Sequence, residues 1–147
     1  MKLESIIDKL KSLIDKNTSS INAIGTVTRA TGTCTTVQWA DGTNTGVWNA
    51  PSAGTYIVMV KFYYASGKRL DYVQFWLRGL NGATIYPDNN SNASLFYKGG
   101  TGQANDALTR TFTTVAEAPD GSSLVPHIFT DTAGTVYNTT ITAVRIK

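Results

Sequence analysis

The sequence has few of the residues that form disulfides, metal sites and nucleophilic centres. One cysteine, Cys34, and one histidine, His127, occur in 147 residues. A single cysteine excludes an intrachain disulfide, so stability must come from packing and assembly. No HExxH or CxxC spacing is present, so no zinc motif is recognised. Cys34 lies in the alternating run TCTTVQW and is predicted to point into a core without chemistry. His127 follows Pro126 in an apolar run and is predicted to be a buried, hydrogen-bonded histidine.

Charge is also scarce, at 16% of residues, and the thirteen basic residues are scattered along the chain. Nucleic-acid binding is therefore not expected, because it requires a basic patch. The N-terminus lacks the apolar core of a signal peptide, and no apolar run approaches the ~20 residues of a membrane span. We expect synthesis in a cytoplasm without an export signal, no membrane insertion and no cofactor.

Threonine is abundant, with 22 copies, and its β-branched side chain favours strands. After Gly25 the apolar pattern has a period of two, interrupted by turn sequences such as ADGTNTG, LNGA and APDGSS. Short strands at this spacing predict an antiparallel sandwich or barrel. The predicted strands are 26–29, 33–39, 47–49, 56–64, 70–77, 84–86, 95–97, 107–115, 125–129 and 137–146.

Before Gly25 the pattern is helical and repeats every seven residues. Its apolar seam alternates spacings of four and three and comprises Leu3, Ile7, Leu10, Ile14, Asn17, Ile21 and Ile24. A strict heptad repeat indicates a coiled coil, because a helix packed on a globular surface drifts toward a period of 3.6. The alternative is an amphipathic helix folded back on its own domain. The chain is thus predicted to comprise a coiled-coil stalk, residues 1–25, and a β-sandwich knob, residues 26–147.

Asn17 occupies a d position where the seam would otherwise have an aliphatic residue. Ile at a with Leu at d favours two strands, whereas Ile24 at d and the apolar g residues Ile6 and Leu13 favour more. A buried Asn weakens a coil but fixes its register. The run Ile14-x-x-Asn17-Thr18 resembles the I/V-x-x-N-T motif of trimeric adhesin and phage-fibre stalks. That resemblance implies a trimer with an Asn17 ring that holds an anion on the axis.

The strand YIVMVKFYY, residues 56–64, is apolar on almost both sides. One face, Tyr56 to Tyr64 in alternation, can fill the sandwich core. Ile57, Met59 and Tyr63 on the other face need a second apolar environment. A subunit interface would provide it, as would a covering loop or the edge of a larger sheet.

Two stretches of the knob resemble C1q/TNF-like jelly rolls. In VWNAPSAGTYIVMVKFYY, residues 47–64, an apolar residue and Ala-Pro precede a Gly-x-Tyr strand, and TTITAVRIK is similar to the closing strand of that superfamily. The resemblance implies a homotrimeric jelly roll over residues 26–147. Behind a coiled coil, such a domain resembles the distal end of a phage tail fibre or receptor-binding protein.

The resemblance implies a protein of the virion that attaches to a bacterial surface receptor, in our interpretation a glycan. Two alternatives remain open: a structural knob that registers and caps the fibre, and a bacterial surface or spore-coat adhesin domain. The chain is not expected to be an enzyme, because its carboxylates stand mostly in turns, although two on separate loops could still form a glycosidase pair.

The candidate ligand site is the segment IYPDNNSNASLFYKGGTGQAND, residues 85–106, because it combines aromatic residues with Asp and Asn. A long solvated loop is the alternative reading. Trp39, Trp48 and Trp76 are predicted to lie in the core or an interface, since each falls in a strand pattern. The candidate binding residues are Tyr86, Asp88, Asn89, Asn90, Asn92, Tyr97 and Lys98.

Replacing Asn17 tests its assigned role. Asn17→Ile should raise the free energy of unfolding by about 1 kcal/mol per chain, the scale of one buried polar group, while loosening register or stoichiometry. Thermal melting and sedimentation of both proteins measure the two effects. An unchanged trimer with no gain in thermal stability would show that the assignment is wrong.

Overall fold

The structure is a computed structural model that describes residues 2–65, 72–86, 92–95 and 107–147. These residues form one helix and ten strands. The helix is α1, Leu3–Asn22. The strands are β1 Val27–Val37, β2 Ala40–Asn44, β3 Trp48–Asn49, β4 Gly54–Ala65, β5 Val73–Leu80, β6 Thr84–Ile85, β7 Asn92–Leu95, β8 Ala107–Ala118, β9 Ser123–Thr130 and β10 Val136–Arg145.

The N-terminal helix has no buried residue. Its seam is open along its whole length, with Leu3 70%, Ile14 62% and Ile21 66% exposed. The alternative of a helix folded back on its own domain is therefore not what the structure shows. The helix ends near Gly25, which has φ +83° and whose N–H donates to the Arg145 carbonyl at 2.7 Å. This bond ties the end of α1 to the last strand of the knob.

The strands form two antiparallel sheets packed face to face. The six-stranded sheet has the order β2-β1-β10-β4-β8-β6, and the four-stranded sheet has the order β3-β9-β5-β7. Without the short strands β2 and β6, the orders β1-β10-β4-β8 and β3-β9-β5-β7 are those of a jelly roll built from two Greek keys. The prediction of a mainly β, antiparallel sandwich after an N-terminal helix is confirmed.

Strand β4 supplies much of the apolar surface through which the two sheets pack. Tyr56, Val58, Val60 and Phe62 are completely buried, and Tyr64 nearly so. Phe62 stacks on Phe75 of the opposite sheet, with ring centroids 4.3 Å apart. The predicted alternation in β4 is confirmed. Each such aromatic or aliphatic side chain contributes roughly 1.5–3 kcal/mol when it leaves water.

The other side of β4 faces outward from the six-stranded sheet. Ile57, Met59 and Tyr63 are 37–39% exposed. On the same face, Val27 of β1 and Val136 of β10 are more exposed still. We call this surface the outer sheet face. The described residues therefore provide no cover for the second apolar side of β4.

The first strand is longer than the sequence predicted. The break expected after Arg29 does not occur, because Gly32 continues the pairing of β1 with β10 opposite Thr139. A Cβ at Gly32 would lie 2.3 Å from the Gly46 backbone nitrogen, so glycine permits a close approach of two chain segments. Strand β2 occupies part of the predicted turn ADGTNTG, and β7 begins at Asn92 rather than at Leu95.

The close approach at Gly32 can be tested by adding a single methyl group. Gly32→Ala should lower the free energy of unfolding by about 3 kcal/mol, since backbone atoms would have to move. Gly121→Ala is the matched control, because Gly121 has φ +74° with open space around its Cβ position, and should cost only about 1 kcal/mol. Urea unfolding at equal protein concentration measures both. Equal losses would show that crowding at Gly32 is unimportant.

Candidate functional site

Most of the predicted ligand site lies outside the described residues. Asp88, Asn89, Asn90, Tyr97 and Lys98 lie outside the described residues. Asn92 is described only as backbone, where it pairs with Arg78 at the start of β7. Of the candidate residues, Tyr86 alone has a described side chain. The segment 85–106 therefore stays a prediction.

Tyr86 follows β6 at the edge of the six-stranded sheet. Its backbone N–H donates to the Val115 carbonyl at 2.8 Å, and its carbonyl accepts from the Thr114 hydroxyl at 2.5 Å. Desolvation, followed by the charge and hydrogen bonding of Glu117, raises the pKa of the Tyr86 phenol. The phenol therefore stays protonated beside the carboxylate and can act as a hydrogen-bond donor.

A cluster of three aromatic residues lies at the end of β1 remote from α1. We call Trp39, Tyr72 and Phe129 the distal cluster. The Trp39 ring centroid is 5.8 Å from those of both Tyr72 and Phe129, and Tyr72 meets Phe129 edge-on at 6.1 Å. All three rings thus touch one another within the favourable range for aromatic pairs. Trp39 is 57% exposed, whereas Tyr72 and Phe129 are half-buried.

The backbone holds the distal cluster in place through strand β9. The Trp39 N–H donates to the Thr130 carbonyl at 2.8 Å, and the Thr130 hydroxyl donates to the Tyr72 carbonyl at 2.8 Å. The Tyr72 hydroxyl donates to Oε1 of Gln74 at 2.9 Å. Trp39 and Tyr72 are therefore hydrogen-bonded to the end of β9, the strand that carries Phe129.

Trp39 does not lie in the core of the single chain, and the alternative of an interface stays a prediction. Val37 pairs with Ala40, so Gln38 and Trp39 form a two-residue connection between β1 and β2. Trp39 has φ +53° there. The buried residues at the end of β1 are Cys34 and Thr36, so the alternation of the strand itself places residue 39 on the exposed side. In the sequence, the Asp-Gly pair at 41–42 indicates that the chain reverses direction nearby. It suggested a turn but not its first residue.

The other tryptophans agree better with the prediction. Trp48 is 2% exposed, packs edge-on against Tyr56 and donates its indole N–H to the Thr28 hydroxyl at 2.8 Å. Trp76 is half-buried. His127 is half-buried, and its Nδ1 lies 2.9 Å from the amide nitrogen of Asn44. This contact confirms the prediction of a hydrogen-bonded histidine, whereas the predicted burial is only partial.

Polar residues near the distal cluster come from the loop after β9. The Asp131 N–H donates to the Tyr72 carbonyl at 3.3 Å, and the Thr132 hydroxyl donates to Oδ1 of Asp131 at 3.3 Å. Asp131 and Thr132 are half-buried. A carboxylate and a hydroxyl, groups that can bond ligand hydroxyls, thus follow directly after Thr130, whose carbonyl accepts the Trp39 N–H.

Two clefts lie away from the distal cluster. One, of about 320 Å³, opens on the outer sheet face between Arg29, Lys61 and the threonines at 111, 140 and 142. The other, of about 420 Å³, lies beside Glu117, Arg145 and Lys147. The Arg145 guanidinium there donates to the carbonyls of Ala53 and Lys147 at 2.9 and 3.1 Å, so it fixes the end of the last strand.

No arrangement of metal ligands accompanies these surfaces in residues 2–65, 72–86, 92–95 and 107–147. No three His, Cys, Asp or Glu side chains of those ranges lie close enough to hold a metal ion. In the same ranges, no helix has the length and apolar content needed to cross a membrane.

Cys34 is buried in the core, as predicted. Its thiol donates to the Pro126 carbonyl at 3.2 Å. Burial raises the pKa of the Cys34 thiol from 9.0 to about 12, and a hydrogen bond with Thr139 offsets part of this rise. The thiolate that nucleophilic chemistry needs is therefore absent near neutral pH.

Comparisons with known proteins find weak structural similarity and no related sequence. The sequence matches no protein-family model and no curated protein sequence. The structure is similar to the globular domain of zebrafish complement 1qA protein, with 10% identity, a TM-score of 0.45 and coverage of 80% of this chain and 97% of that one. The CBM35 module of Cellvibrio japonicus Abf62 gives 16% identity, a TM-score of 0.41 and coverage of 76% and 69%.

A third similarity is to the structure of infectious bursal disease virus, Gx strain. It gives 10% identity and a TM-score of 0.48, and covers 82% of this chain but 32% of the viral one. With TM-scores below 0.5, none of these similarities bears on what this chain binds. The jelly roll described above rests on the strand order alone.

Thiol labelling tests the environment of Cys34. Because the folded pKa lies above the ordinary value, the folded thiol stays protonated at pH 8–9, where an unfolded thiol begins to ionise. A thiol reagent at pH 8 should label the chain in urea but leave the native protein unlabelled over the same period. The associated stability is complete below pH 9 and declines as the pH rises toward 12. Prompt labelling of native protein would contradict a buried thiol.

Proposed function

We propose that three copies of this chain form the receptor-binding tip of a phage tail fibre, which attaches to a glycan on the bacterial surface. The observation that carries the proposal is the seam of α1, which is apolar at heptad spacing and has no buried residue in the single chain. Other copies of α1 would cover it. Each Leu or Ile covered in this way contributes roughly 1.5–3 kcal/mol.

Asn17 supports three strands rather than two in this proposal. In a trimeric coil, three Asn17 amides meet at one level of the axis, where an anion or water can satisfy their N–H groups. The register of the stalk is then fixed at that level. No cofactor is required, and the proposed role involves no catalytic step.

The knob extends the same assembly in this proposal. Ile57, Met59 and Tyr63 on the outer sheet face would pack against neighbouring copies, in the manner of a C1q/TNF-like trimer. The hydrogen bond between Gly25 and Arg145 connects this sheet to the end of α1. Association of three helices would therefore bring three outer sheet faces to the same axis.

Trimerisation matters for attachment because surface glycans are bound weakly by single sites. Three linked sites raise the apparent affinity by about 10² or more when they engage together. Two alternatives remain. A structural fibre cap would not adhere to bacterial cells, and a bacterial adhesin domain would be carried by a bacterium rather than by a phage particle.

Cell binding by seam variants tests the proposal. Labelled wild-type protein is added to a panel of Gram-negative and Gram-positive strains, and Ile14→Asp is compared with Ser12→Asp. Ile14 lies in the seam, whereas Ser12 lies outside it on the same helix turn, so both variants add one charge. We expect wild type and Ser12→Asp to bind at least one strain, and Ile14→Asp to bind about 10²-fold more weakly.

Two results would contradict the proposal. Equal binding of Ile14→Asp and wild type would show that attachment to cells does not require assembly through α1. Absence of binding to every strain would favour a structural cap. Immunogold labelling of phage virions and of bacterial surfaces with an antibody to the knob separates the fibre tip from the adhesin alternative.

A further inference from the structure

We propose that the distal cluster is the receptor site and that its ligand is a hexopyranose ring. The inference deepens the proposed function and rests on it only for the origin of the sugar, a bacterial surface glycan. The cluster is distinct from the segment 85–106 to which the sequence pointed.

The distal cluster has exposed ring surface. Trp39 is 57% exposed and is supported by the rings of Tyr72 and Phe129 at 5.8 Å. One side of a hexopyranose presents C–H groups, which pack well on the electron-rich face of an aromatic ring. A rigid, exposed indole supported by two further rings is the kind of surface on which such a sugar can stack at low entropic cost.

The backbone of Trp39 is strained. A bulky residue with φ +53° is rare, and this conformation costs about 1–3 kcal/mol. A two-residue hairpin connection is formed more readily by Asn or Gly. The turn itself therefore does not require tryptophan, and the ring contacts with Tyr72 and Phe129 leave more than half of the Trp39 side chain exposed. Strain combined with exposure points to a ligand-binding role.

The hydrogen-bond network of the distal cluster includes polar side chains. The Asp131 carboxylate, the Thr132 hydroxyl and the Tyr72 hydroxyl all belong to the hydrogen-bond network that holds the rings. Carboxylate and hydroxyl oxygens can accept hydrogen bonds from sugar hydroxyls. Aromatic faces with a few polar groups at the edge match the two sides of a sugar ring.

The size of the cluster favours a small ligand over a protein. A completely buried aromatic side chain covers about 150–250 Å², and two of the three rings are already half-buried. The exposed area is therefore well below the ~800 Å² per partner that a stable protein interface buries. One or two sugar rings would fill it.

Its place in the fold also suits a receptor site. Strand β1 has 11 residues and separates the cluster from the end of α1 by about 36 Å. Assembly through α1 would thus leave the cluster uncovered at the far end of β1. Each copy in a trimer would contribute one such site.

Replacement of Trp39 in the full-length chain tests the inference. Trp39→Asn suits the left-handed backbone while removing the ring, so it should fold with an unchanged or higher melting temperature. Val37→Ala is the matched control, because Val37 is an exposed apolar residue on the other side of the same turn. The probes are an array of oligosaccharides built from glucose, galactose, mannose, N-acetylhexosamines and sialic acid, and tryptophan fluorescence titration with each sugar that binds.

We expect wild type and Val37→Ala to bind a hexopyranose glycan with a change in fluorescence, and Trp39→Asn to bind at least about tenfold more weakly. Periodate treatment of bacterial cells should abolish adhesion, whereas protease treatment should not. Loss of binding together with retained or increased stability is a result that a purely structural role for Trp39 would not give.

The outcomes separate this inference from the proposed function. If wild type and Trp39→Asn adhere to cells equally, the distal cluster is not the site, and the Asp88→Ala, Asn90→Ala double variant then tests segment 85–106. If protease but not periodate abolishes adhesion, the ligand is a protein and the inference fails. If the array shows Trp39-dependent sugar binding but no cell binds the trimer, the inference stands and host attachment fails.

Discussion

A single copy of this chain leaves its apolar helix uncovered, and the proposed assembly follows from this one constraint. A 20-residue helix with no buried residue receives no packing energy from the knob, and an isolated helix of this length is only marginally stable in water. Its Leu and Ile side chains nevertheless follow a strict heptad repeat. Their burial between copies would supply the missing stability. Asn17 would then restrict which arrangement of copies forms, at some cost in stability.

The same constraint applies to the outer sheet face, and the two apolar surfaces adjoin. Strand β4 buries one side in the sandwich and leaves Ile57, Met59 and Tyr63 open on the other. Two basic residues, Arg29 and Lys61, lie among threonines on that face. A neighbouring copy would have to leave both cations hydrated or supply acidic partners for them. In this account the stalk and this face form the assembly surface. The distal cluster, at the other end of β1, remains open for a ligand.

The features that follow from local periodicity could be predicted from the sequence. The heptad seam, the alternation of β4 and the burial of Trp48 depend on spacing alone. Features that depend on how distant segments approach were missed. Gly32 lies within β1 at a point where the Gly46 backbone leaves no room for a Cβ, and Trp39 lies in the two-residue turn after β1 with φ +53°. Neither fact is visible in residue spacing. The candidate residues beyond Tyr86 stay a prediction, since all but Asn92 lie outside the described part of the chain and Asn92 is described only as backbone. Tyr86 belongs to a sheet edge rather than to the distal cluster.

The most direct test of the central claim is the mass of the native protein in solution. Sedimentation equilibrium at micromolar concentration, combined with circular dichroism to show that the chain is folded, measures it without assumptions about shape. The account predicts a single species of about 47 kDa, three times the 15.8 kDa of one chain. A folded species of 15.8 kDa with a helical N-terminus would contradict the claim, because the exposed seam would then be stable without partners.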